Sequence, residues 1–76
     1  MNQARNALLL HKKEQAALIR ALLSKHKLTA VDAAALILVS APSIQRAASH
    51  ERCEQVSLDM IYIIHYHLYF RTWDIE

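Results

Sequence analysis

Five histidines (His11, His26, His50, His65, His67) and one cysteine, Cys53, are the residues that could ligate a metal or attack a substrate. Their spacing argues against both. His65 and His67 are two apart, which shares a face on a strand but not on a helix. His50 and Cys53 are three apart and could share a helical face. A structural zinc site takes four ligands, however, and no Cys-x-x-Cys or His-x-x-x-His pattern supplies the others. Glu51 and Glu54 flank Cys53, and acidic neighbours disfavour a thiolate. With no glycine in the chain there is no glycine-rich phosphate loop, and no paired-carboxylate pocket is visible. The chain is read as non-enzymatic, with no metal and no cofactor.

Recognition is the remaining chemistry, and two groups of residues could carry it. In "APSIQRAASHER" the best candidates are Ser43, Gln45, Arg46 and Ser49. Glutamine can pair with adenine and arginine with guanine at base edges. Lys25 and Lys27, before Leu28 and Thr29, and Arg52, at the end of this stretch, flank the four candidates and could hold phosphates. The plainer reading, that these are ordinary solvated residues, has at least even weight for any one of them. The second group is Tyr62, Tyr66, Tyr69, Phe70 and Trp73. It packs against the first helix, forms an interface with a second copy or a protein partner, or does both. Base stacking is disfavoured because no basic groove tracks the same segment.

Four helices are needed to position these groups. Residues 3–26 place Ala4, Leu8, Ala16, Ile19, Leu22 and Leu23 at mainly three-and-four spacing, with Leu9 and Leu10 widening the stripe. Thr29 caps a second helix reaching about residue 39, with Asp32 in its first turn. Ser40 caps a third, with Pro42 in the turn where its missing N–H costs little. Ser57 caps a closing helix over about 57–70, from which "RTWDIE" departs. The corner between the second and third helices has no glycine, so Leu38 either stays right-handed or carries a left-handed penalty. The closing segment is also strand-like in content. Without a second strand to pair with, helix is preferred. The expected fold class is all-α: one domain over residues 1–76, of four to five helices, with a helix-turn-helix at about 29–52.

Composition agrees. Of 76 residues, 54% are hydrophobic and 21% charged, which excludes a disordered chain. A net charge of +2 permits nucleic-acid binding without indicating it. No apolar run approaches the ~20 residues of a membrane helix, and the first residues lack a signal peptide's pattern. The single cysteine excludes an intramolecular disulfide, and a cytoplasmic setting is expected. A small, apolar-rich chain also suggests burial between copies, by default a two-fold dimer.

The segment "LTAVDAAALILVSAPSIQR" resembles the lambda-repressor/Cro-like (XRE-type) family of helix-turn-helix domains. The residues that carry the resemblance are Leu28 and Thr29, then Ala34, then Ile37, Leu38, Val39 and Ser40, then Ser43, Ile44, Gln45 and Arg46. It extends over most of residues 15–70. Departures fall on the DNA-reading positions. Leu38 replaces the corner glycine, Ala30 stands at a frequent phosphate-binding glutamine, and Ala48 and His50 replace the usual Glu and Gly. Ala41 and Pro42 begin the recognition helix. The resemblance implies a small dimeric transcriptional regulator that binds double-stranded DNA and acts by occupying an operator. The alternative is a helical protein-interaction module (an inhibitor, adaptor or antitoxin-like protein) that binds a partner through its aromatic face.

Overall fold

A computed structural model describes residues 3–73 of the chain. The order is α1 (Gln3–Lys25), α2 (Ala30–Ile37), α3 (Ala41–Ala48), a short 3-10 turn (Arg52–Gln55) and α4 (Leu58–Trp73). There is no strand among the described residues. The protein is an all-α domain of four helices.

Side-chain caps start the last three helices at the expected residues. Asp32 N donates to Thr29 Oγ1 at 3.1 Å and Thr29 N donates to Asp32 Oδ2 at 3.0 Å, a complete capping box. Ser43 N donates to Ser40 Oγ at 3.3 Å at the start of α3, and Met60 N donates to Ser57 Oγ at 3.2 Å at the start of α4. Each cap satisfies an amide left without an intrahelical partner.

Two helix ends turn through left-handed residues. Lys27 has φ 54° and Leu38 has φ 58°. At the end of α1, Leu28 N donates to Leu23 O at 2.8 Å and Lys27 N to Ser24 O at 3.2 Å. This is a Schellman motif with lysine in the position that favours glycine. Of the two geometries open to Leu38, the left-handed one is adopted.

Three boundaries differ from expectation. The second helix ends at Ile37 and not near residue 39, because Leu38 turns left-handed. The third helix ends at Ala48 and does not continue to residue 52, so helix-corner-helix spans 30–48. Ser49 is extended there (φ −78°, ψ 131°), and its Oγ accepts from Arg52 N at 3.1 Å, which starts the 3-10 turn. The closing helix runs past residue 70, through Arg71 to Trp73. Thr72 holds that last turn: it is buried, and its hydroxyl donates to Leu68 O at 2.8 Å. The remainder of the "RTWDIE" tail, residues 74–76, lies outside the described residues.

One core joins every element: Ala16 and Ile19 of α1, Ala33 and Ile37 of α2, Ile44, Ala47 and Ala48 of α3, Cys53, and Ile61, Ile64 and Leu68 of α4. The alanines let α2 and α3 approach their neighbours closely. The stripe expected along all of α1 reaches the core only in its second half, because Ala4, Leu8 and Leu10 are exposed. At 1.5 Å per residue, α1 accounts for about 34 Å of a molecule 44 Å long. Helices α1 and α4 run parallel: His11 bonds Tyr62 and Gln15 bonds His65, and farther along Leu22 and Lys25 share a cleft with Thr72 and Trp73.

Candidate nucleic-acid interface and the aromatic face

Helix α3 presents its apolar side inward, with Ile44, Ala47 and Ala48 buried. Its outward edge carries Pro42 and Gln45, both exposed, with Arg46 half-buried beside them. Of the polar candidates, Gln45 has its side chain in water. Arg46 and Ser43 line a shallow groove of about 260 Å³ with Gln55, Val56, Ser57 and Met60. Ser43 Oγ lies 2.7 Å from Ser40 Oγ, and Ser49 Oγ caps the 3-10 turn. Both hydroxyls therefore have structural work before any base approaches.

The flanking cations divide. Arg52 is exposed and one cap away from Ser49, next to the end of α3. Lys25 borders the cleft at Thr72 and Trp73, whereas Arg46 borders Met60. Twelve residues of α4 separate Met60 from Thr72, about 18 Å along the helix. Lys25 is thus not gathered with Arg46, and the exposed Lys27 follows it at the end of α1. At the start of α2, Asp32 places a carboxylate against the Thr29 backbone and hydroxyl, which hold it below the usual carboxylate range.

Three contacts that support the site left no periodic signal in the sequence. Arg20 of α1 donates through Nη1 to Ala48 O, placing a cation on the last carbonyls of α3. Lys12 Nζ reaches Glu54 O at 3.4 Å, and Lys13 pairs loosely with Glu54 at 3.8 Å. These tie α1 to the 3-10 turn, although an exposed pair of this kind adds little stability.

The aromatic residues form a connected ladder on α4. Tyr62, Tyr66 and Phe70 follow one another at ring centroid distances of 6.5 and 6.2 Å, the last pair stacked. Tyr69 joins Phe70 edge-on at 5.6 Å and reaches Trp73 at 5.8 Å. Tyr62 is half-buried and bonded to His11, so it belongs to the α1–α4 seam. The other four are exposed: Tyr66 59%, Tyr69 42%, Phe70 62% and Trp73 64%. His65 Nδ1 lies 2.8 Å from Gln15 Oε1, and burial lowers its pKa from the ordinary histidine value.

Cys53 is buried, and its Sγ donates to His50 O at 3.4 Å. Among the described residues no group of three or more His, Cys, Asp or Glu is placed to hold a metal ion, and no helix is long and apolar enough to cross a membrane. Comparison with protein-family models, with curated proteins and with solved structures gave no match to this chain.

Proposed function

We propose that the chain is a small helix-turn-helix DNA-binding regulator of the repressor type, acting by occupying an operator without a catalytic step. The observation that carries this reading is the pairing of α2 and α3 across a three-residue corner, with the outward edge of α3 left to water. The resemblance to the XRE-type family at Leu28, Thr29, Ala34, Val39, Ser40, Ile44 and Arg46 supports it. In this reading Gln45 and Arg46 meet base edges and Arg52 a phosphate. Ser43 and Ser49 orient the backbone that carries them. Lys25 and Lys27 stand farther off and steer approach.

The test is DNA binding by the Gln45→Ala/Arg46→Ala double variant, with circular dichroism to follow the fold. Sequence preference should fall by at least about tenfold, since a good bidentate contact is worth about 1–3 kcal/mol, while helicity is unchanged. Retained preference would remove these two residues as readers.

A second reading, a protein-interaction module on the same scaffold, is favoured by the four exposed rings of α4. Under it, Tyr66→Ala or Tyr69→Ala weakens association with a partner and the α3 variants do not.

A further inference from the structure

We infer that the exposed face of α4 is covered by a second copy of this chain, with rings from each copy packed against rings of the other around a two-fold axis. The inference rests on the ring face alone and stands apart from the DNA reading.

The size of the face is the first argument. Tyr66, Tyr69, Phe70 and Trp73 are 42–64% exposed. At about 200 Å² per ring system, they leave about 450 Å² of ring surface in water. Leu18 of α1 extends the patch at 45% exposure. It lies three residues from Gln15 and four from Leu22, which border the clefts beside these rings. Two such faces, with Leu18 and Ile63 at their edges, reach about the 1,000 Å² total that a specific interface must clear.

Charge is the second. From Tyr62 to Trp73 the only Asp, Glu, Lys or Arg is Arg71, about 140° around the helix from Tyr66. A two-fold contact brings each residue near its own counterpart region, so like charges on the face would repel. Along α4 there are none to repel, and Lys25 and His26 of α1 border the face only at its Tyr69 and Trp73 end.

The third argument is stability. Among the described residues the fully buried large aliphatic side chains are few: Ile19, Ile44, Ile61, Ile64 and Leu68. A core this small is marginal for an isolated domain. The apolar surface it lacks is on α4, and a second copy is the one partner present wherever the chain is made.

Sedimentation equilibrium of the protein, without DNA, is the experiment, paired with thermal melts over a range of protein concentration. Wild type should sediment at twice the 8.7 kDa of one chain and melt higher as concentration rises. Phe70→Glu should raise the dimer dissociation constant at least about 30-fold. Val31→Glu, at an exposed apolar site on α2, should leave it unchanged. If Phe70→Glu fails to fold, Leu18→Ala serves, with an expected rise of about fivefold. A wild-type monomer at micromolar concentration would overturn the inference, even if it captured another protein. So would a dimer indifferent to Phe70→Glu and Leu18→Ala.

Discussion

Replacing Leu38 by glycine should stabilise this protein. Leu38 closes α2 at φ 58°, ψ 40°, where a side chain with a Cβ costs about 1–2 kcal/mol. Glycine removes that cost. Little is given up, because the Leu38 side chain is 88% exposed. The lost burial is about 0.3 kcal/mol of the roughly 1.5–3 kcal/mol that a fully buried leucine contributes. Glycine also loosens the unfolded chain, by about 0.4–1 kcal/mol. The balance is a gain of up to about 1 kcal/mol, read as a rise in Tm of up to about 4–8 °C for a domain of this size. Thermal melts by circular dichroism measure it, with Leu38→Ala as the control that keeps the left-handed cost. A glycine variant no more stable than the alanine variant would refute a left-handed corner and, with it, the geometry that joins α2 to α3.

Two further outcomes follow from the same structure. Ile64→Ala should cost about 2–5 kcal/mol, because Ile64 is fully buried at the centre of α4. Against a total of about 4–11 kcal/mol for a chain this long, denaturant melts should show a much earlier or lost transition. Stability should also fall with acid in two windows. Burial lowers the pKa of His65, so the folded state binds fewer protons there than the unfolded one. Its contribution is full above about pH 6.5 and declines as pH falls toward the folded value. Hydrogen bonds from the Thr29 backbone and side chain lower the pKa of Asp32, and that contribution is lost below about pH 4. Melts of His65→Gln and Asp32→Asn should each lose one window, and a window that persists in its variant contradicts the assignment.

What was legible in the sequence was local chemistry. Thr29, Ser40 and Ser57 announce helix starts because a hydroxyl one residue before an apolar period has a definite job, and all three perform it. Helix ends were less legible. Nothing in "APSIQRAASHER" marks Ala48 as the last residue of α3, since the stop depends on Ser49 turning its hydroxyl to Arg52 N and on Arg20, distant in sequence, meeting Ala48 O. Leu38 offered two geometries, and only the packing of α2 against α3 selects one. The continuation of α4 to Trp73 depends on burial of Thr72, which composition does not encode. For the candidate site, the sequence placed Gln45 and Arg46 on α3 but could not separate Lys25 from them, because that distance is set by the length of α4. The paired contacts His11 with Tyr62 and Gln15 with His65 require the parallel packing of α1 and α4.

The central claim is that α3 reads DNA, and selection from a fragmented-genome DNA pool, followed by fluorescence anisotropy across a salt series, tests it most directly. Arg52 on a phosphate from each of two chains predicts a slope of log K against log salt of about −2. The two chains also predict enrichment of one two-fold symmetric site whose halves lie about 34–36 Å apart. Weak binding with no enriched sequence would contradict the claim and leave the aromatic face of α4 as the working surface of the protein.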